Sequence, residues 1–183
     1  MIRKTAFGVY HENPAYQMSR VHLPDEVYAQ TIRSFVIVCV DVVITSRQSG
    51  HSALWLAKRK VKPWSGWWLI GGRMYAGEDP IPAVQSVFKR ETSLEINPGR
   101  FSLVQVSSFL WKDRQQEPQD AGSHNLSLTF MLDLIPSELS AVQLDTDEYD
   151  AEYVLRPFDR EALVTEHPVL SDLHQQIFGG EEM

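Results

Sequence analysis

Residues 72–94 read GRMYAGEDPIPAVQSVFKRETSL, and this stretch decides the fold. Two glycines, Gly71 and Gly72, lead into a glycine loop that carries Glu78 six residues after Gly72. Asp79 and Pro80 then open a helix. Aspartate is a good N-cap because its carboxylate accepts a first-turn N–H, and proline fits the first helical position. Pro82 still lies in the first turn, where no intrahelical N–H bond is lost. Ala83, Val84, Val87, Phe88 and Glu91 follow at helical spacing. The helix ends before Asn97-Pro98-Gly99, a strong stop.

Upstream, Pro63 to Arg73 reads as a turn, a short apolar strand and the glycine loop. Ser34 to Thr45 is long and rich in β-branched residues, which predicts a buried central strand. Ala53 to Lys58 reads as the returning strand of a hairpin, across a polar turn over Ser46 to His51. A short helix runs from Pro24 to about Arg33, with acids in its first turn where the helix dipole favours them. Residues 1 to 22 lack periodicity and read as an extended arm, leaving 23–183 as one domain. Downstream, Phe101 to Trp111 and Asn125 to Ile135 are two strands around a polar loop. Tyr153 to Leu155 is a short strand, and Phe158 to Val164 and Pro168 to Phe178 are helices. This order predicts an α/β (α+β) domain in which helices sandwich a mixed β-sheet.

Composition narrows the function. Hydrophobic residues make up 43% of the 183 and charged residues 22%, both globular values, which excludes global disorder. No apolar run approaches the roughly 20 residues that cross a bilayer, and no apolar core follows Met1 to Lys4, so the expectation is a cytoplasmic protein with no membrane partner. One cysteine, Cys39, excludes an internal disulfide and a cysteine-rich zinc site. A net charge of −7 disfavours nucleic acid as a partner. The charge is patterned: Lys58, Arg59, Lys60, Lys62 and Arg73 lie close in sequence, as do Asp145, Asp147, Glu148, Asp150 and Glu152. Two such patches suit a metal-bound, phosphate-bearing ligand, or are two solvated segments.

The glycine loop, Glu78, the capped helix and Glu91 together resemble the signature of the Nudix hydrolases, Gly-x5-Glu-x7-Arg-Glu-Φ-x-Glu-Glu-x-Gly-Φ with Φ apolar. Gly72, Glu78, Phe88, Glu91 and Leu94 match. Ser86 stands at the arginine, Val87 and Arg90 at two glutamates, and Ser93 at the glycine. The resemblance implies the Nudix fold, a mixed sheet between helices, and carboxylates that hold divalent cations against a substrate diphosphate. With two carboxylates replaced, it implies one Mg2+, with Mn2+ as a substitute, on Glu91, a backbone carbonyl near Gly72 and an acid from elsewhere.

Outside the box, residues 23 to 170 resemble the GDP-mannose mannosyl hydrolase branch. The shared features are Leu23, Glu26, Tyr28, Ala29, Arg33 and Ser34, then Asp41, Lys58-Arg59, Pro63, Gly66, a tryptophan, Gly71-Gly72-Arg73, and an acidic run before a short strand. The branch is understood to cleave the carbon–oxygen bond at the sugar's anomeric carbon and release nucleoside diphosphate. Position by position, the resemblance implies a functional aspartate at Asp41 and arginines for the diphosphate at Arg59 and Arg73. It implies a second metal ligand at Glu148. Tyr149 stands where the branch has a histidine base, and an ordinary tyrosine titrates near pH 10, too high for a base at neutral pH. Asp41 and His124 remain as candidate bases. An exposed tryptophan, Trp67 among them, could stack on the base or sugar. The branch is dimeric, which implies a homodimer in which the arm could trade between copies.

The expected function is therefore hydrolysis of a nucleoside diphosphate sugar, GDP-mannose-like, to sugar and nucleoside diphosphate. Cleavage of a phosphoanhydride is a second reading. A non-catalytic nucleotide-sensing or interaction module is a third, supported by Val87, Arg90 and Tyr149.

Overall fold

The computed structural model describes residues 2–4, 9–11, 15–17, 21–49 and 52–179. Within the expected arm, β1 (Ile2–Lys4) and β2 (Val9–His11) pair antiparallel as a separate two-stranded ladder. The rest of that arm falls largely outside the described residues, as do Gly50 and His51 of the expected turn. Helix α1 (Asp25–Ser34) begins with Asp25 and Glu26 and ends with Arg33, each on the favourable side of the dipole.

Strand β3 (Ile37–Thr45) is the centre of the sheet, and Val40, Val42, Val43 and Ile44 are inaccessible to solvent. Two strands share one of its edges. β4 (Leu54–Arg59) meets it at a single pair, Ile44 opposite Trp55, and then runs on against β5 (Gly66–Trp68). β6 (Ile70–Arg73) takes the rest of that edge, from Cys39 opposite Arg73 to Val42 opposite Ile70. The expected hairpin is therefore nearly open, and Gly71 and Gly72 lie in a strand, not in a loop. Close approach, not a turn, explains the first glycine. A Cβ on Gly71 would fall 1.8 Å from Asp41 Oδ1 and 2.8 Å from the Val40 carbonyl.

Helix α2 (Pro80–Thr92) starts as the sequence predicts, with the Asp79 carboxylate accepting from the Ile81 N–H at 3.1 Å. It stops earlier, at Ser93, which takes the left-handed conformation (φ 59°). β7 (Ser102–Trp111) and β8 (Ser123–Asp133) pair antiparallel, and β8 runs parallel to β3 over its whole length. The short α3 (Pro136–Ala141), unforeseen in sequence, is fixed by proline at its start and by the Glu138 carboxylate accepting from the Ile135 N–H. β9 (Leu155–Phe158) lies later than expected because Leu155 to Phe158 face Ala57 to Leu54 across β4. α4 (Arg160–Glu166) and α5 (Pro168–Phe178) close the chain.

Alternation along the strands builds two cores, one on each face of the sheet. Val84, Val87 and Phe88 of α2 pack on Val40, Val42, Ile44, Leu128 and Phe130. Leu163 of α4 and Leu170 and Leu173 of α5 pack with Val43, Leu54, Leu56 and Trp68. The mixed sheet between helices is the class the sequence predicts. Among the described residues no helix is long and apolar enough to cross a membrane.

Candidate active site

A cavity of about 510 Å³ is lined by α1, by the ends of β4, β6 and α2, and by residues of β3, β7 and β8. Asp41, Arg59, Arg73, Gly72, Glu91 and Glu148, all singled out in sequence, lie on its wall. Period-two alternation decides which of their neighbours join them. Cys39 and Asp41 of β3 face it with Asn125 and Ser127 of β8 and Phe109 and Trp111 of β7, while Val40 and Val42 turn to the α2 core.

Asp41 is partly buried beside Gly71, and the Ser127 hydroxyl donates to its Oδ2. Burial raises the carboxyl's pKa, against the opposing pull of the Ser127 hydrogen bond and the Arg59 charge. Cys39, two residues earlier, is pushed up to about 12 by burial and by the Asp41 charge, so its thiol stays protonated at neutral pH.

Arg59 ends β4, and its Nη2 donates to Glu148 Oε2 at 3.1 Å. Among the described residues its Nε is buried without a partner. Arg73 ends β6 with its guanidinium 4.3 Å from the centre of the Tyr28 ring and 5.5 Å from that of Tyr75. Two aromatic faces thus hold the side chain, and among the described residues no carboxylate pairs with its charge.

Residues 145–150 are stitched to the strands by backbone. Asp145 N–H donates to the Glu91 carbonyl, Lys60 N–H to that of Glu148 and Asp150 N–H to that of Lys58. This docking brings the acidic patch onto the basic one, giving Lys58–Asp150 at 3.2 Å beside Arg59–Glu148. The two patches are partners in good part, which neither sequence reading anticipated.

Glu91 is buried to 1%. Its Oε1 accepts from Arg90 Nε at 2.8 Å and lies 2.6 Å from Arg90 Nη2, while its Oε2 is buried without a partner among the described residues. Burial raises its pKa most, Arg90 opposes, and the charges of Glu148 and Asp145 add to the rise. The unpartnered oxygen could meet a cation. Against that, each carboxylate assigned to the metal already has a guanidinium. Among the described residues no group of three or more His, Cys, Asp or Glu gathers to hold an ion. The residues as they stand do not fit the divalent ion that the resemblance implies.

Three predicted residues are not on the cavity wall. Tyr149 is buried to 1% in the α2-side core, and burial, followed by the charge of Glu91, raises its phenol further out of a base's range. A histidine placed there would share that burial. His124 faces the opposite way from Asn125, its Nε2 2.6 Å from Ser108 Oγ. Trp67 packs on Tyr153 and Phe158, with ring centres 5.5 Å apart in both cases, and it is Trp68 that lines the cavity.

Sequence reasoning missed Asn125, Ser127, Tyr28 and Trp111 as cavity residues. The polar-apolar alternation of Asn125 to Phe130 is the available signal for the first two. It also missed Arg114, buried to 2%, whose guanidinium donates to the carbonyls of Ala29, Gln116, Glu117 and Pro118 and ties the β7–β8 loop to α1. No spacing in the sequence announces that role.

The family model for the NUDIX domain matches residues 37–172. A MutT NUDIX hydrolase from Burkholderia pseudomallei is similar in structure, with 19% identity and a TM-score of 0.57, over 76% of this chain and 95% of that one. An Ap4A hydrolase from C. elegans, solved as a binary complex, is 16% identical with a TM-score of 0.54, over 80% and 98%. The NUDIX domain of Shewanella oneidensis NrtR, solved with ADP ribose, is 14% identical with a TM-score of 0.51, over 85% and 99%. At these identities the likeness is one of fold. No curated protein matches the chain in sequence.

Proposed function

This chain belongs to the NUDIX family, and on that premise we propose that its cavity binds a nucleoside diphosphate sugar, GDP-mannose-like, and hydrolyses it to sugar and nucleoside diphosphate. The observation that carries this reading is the placing of Arg59 and Arg73 on one cavity wall with the Asp41 carboxylate. Two forked guanidinium groups suit a diphosphate, because each can donate to two phosphate oxygens. Structural neighbours solved with ADP ribose or named for Ap4A hydrolysis bind related molecules, which supports the ligand class.

In this mechanism water attacks the anomeric carbon and a new C–O bond forms. The bond from that carbon to the diphosphate oxygen breaks, and its electron pair leaves with the diphosphate. Arg59 and Arg73 stabilise the charge that grows there. With Tyr149 in the core and His124 turned away, Asp41 accepts the water proton. Its raised pKa makes it a better base than an ordinary aspartate. Trp68, Phe109 and Trp111 offer apolar faces for the base or sugar. Nudix hydrolases typically use divalent metals such as Mg2+.

A second reading is a non-catalytic nucleotide-binding module, favoured by Arg90 holding the glutamate that the resemblance makes a metal ligand. One experiment separates these readings and phosphoanhydride cleavage. A panel of nucleotide sugars and nucleoside di- and triphosphates is incubated with the full chain, with and without Mg2+, and scored for free sugar and for monophosphate. Free sugar with nucleoside diphosphate is expected. Monophosphate would move the cut to the anhydride, and binding without turnover would select the module.

A further inference from the structure

The two carboxylates that a Nudix site of this kind would present to a metal are Glu91 and Glu148, and each already meets an arginine. Arg90 places both Nε and Nη2 on Glu91 Oε1, at 2.8 Å and 2.6 Å. Arg59 Nη2 lies 3.1 Å from Glu148 Oε2. The position of the Arg90 guanidinium is telling. A Cβ built on Gly72 would fall 2.8 Å from its Nη2, so the group lies between Glu91 and the glycine expected to lend a carbonyl.

Charge and geometry agree. The two carboxylates are each offset by a guanidinium group, which weakens their pull on a divalent ion. An ion held by both oxygens of Glu91 would also have to displace Arg90 from Oε1 of a carboxylate that is 2% exposed, and breaking a buried pair is costly because one charge is left uncompensated. Mg2+ demands near-octahedral oxygen ligands, whereas Glu91 keeps one unpartnered oxygen, Oε2. The neighbouring box position, Val87, is packed in the core and offers no ligand.

We propose that Arg90 and Arg59 together replace the divalent cation at this centre, so that the chain engages a diphosphate ligand without metal. Arg90 is the more telling of the two, since its side chain is half-exposed on the cavity wall and its Nη1 is outside both contacts to Glu91. That nitrogen is free of Glu91 to take a phosphate oxygen, a step that rests on the nucleotide reading above.

The test is Mn2+ binding to the full chain, read by electron paramagnetic resonance and repeated with Mg2+ by calorimetry. The parent is expected to bind neither ion over a range in which Arg90→Glu gains one equivalent, tighter by more than about tenfold. Arg90→Ala, which only frees Glu91, should gain a weaker site, and it decides the matter if Arg90→Glu does not fold. A parent that binds one Mn2+ as tightly as either variant, and loses it in Glu91→Gln, would overturn the proposal. Nucleoside diphosphate binding in EDTA is the second arm. Affinity unchanged by EDTA supports the replacement, and affinity lost in EDTA and restored by Mg2+ refutes it. If no nucleotide binds at all, the nucleotide reading fails while the Mn2+ titration still decides this one.

Discussion

Arg59 and Arg73 reach the same cavity by different means, one through an ion pair to Glu148 and the other between two tyrosine rings. Lysine can supply the charge but not the fork. Arg59→Lys and Arg73→Lys are each expected to lose about 1.5–3 kcal/mol of ligand binding or transition-state stabilisation, roughly ten- to more than hundredfold. Steady-state kinetics and calorimetry on the preferred nucleotide check this, and parental values in both variants would place the ligand elsewhere. Asp41 makes a separate prediction in pH. Its native pKa lies above the ordinary 3.8, so between the two values the native state holds a proton that the unfolded chain has lost. Stability therefore falls as pH rises through that window and stays reduced above it. Asp41→Asn removes the burden: the variant should melt above the parent at neutral pH, with the gap closing as pH falls toward 3.8. A gap that is the same at every pH would show that Asp41 does not titrate abnormally.

At the scale of elements, the decisive feature is the edge of β3 divided between β6 and β4. Gly71 makes the close pairing beside Asp41 feasible, and Gly72 lies under Arg90. The two glycines should respond differently to alanine. In Gly71→Ala the new carbon meets the Val40 carbonyl and the Asp41 carboxylate, neither of which can move far, so a loss of about 1–3 kcal/mol or more is expected. In Gly72→Ala the nearest atom is the tip of a flexible arginine, so the loss should be smaller. Chemical denaturation of both variants checks the order, and equal losses would mean that the strand yields at Gly71 too. Asp79→Ala should cost about 1 kcal/mol through the lost cap of α2, measured the same way.

At the scale of the molecule, the cores and the charged cavity side chains are housed apart, and Trp68 belongs to both a core and the cavity wall. Phe88 on one face of the sheet and Leu170 on the other are buried in separate cores, while the cavity side chains Arg59 and Arg73 belong to neither. Phe88→Ala should cost about 3–5 kcal/mol and Leu170→Ala about 2–5 kcal/mol. Arg59→Lys and Arg73→Lys should keep nearly the parental melting temperature while losing ligand. Thermal unfolding of the four variants tests the separation. Arginine variants that melt as low as the core variants would show that the cavity wall is part of the folding unit.

The sequence by itself determined the α2 helix with its cap, the central β-branched strand, the two long strands after it and the sheet-between-helices class. Those follow from local rules, the period of apolar residues and the preferences of Asp, Pro and Gly, which need no knowledge of distant partners. It also picked out Asp41, Arg59, Arg73, Gly72, Glu91 and Glu148, all of which the fold gathers at one cavity. Only the tertiary structure decided which way side chains point and what they meet. Trp67 and His124 lie off the cavity wall because a shift of one residue in a strand reverses the face. Tyr149 lies off it because its burial depends on residues 145–150 docking against β4 and α2. The charges were the hardest to read. Arg90 reads in sequence as a lost ligand and Glu148 as a gained one, yet their meaning lies in partners: Arg90 lies against its neighbour Glu91, and Glu148 meets Arg59, 89 positions away. An ion pair is a property of folded geometry, and folding brings those carboxylates to guanidinium groups where the sequence motif alone suggested a metal.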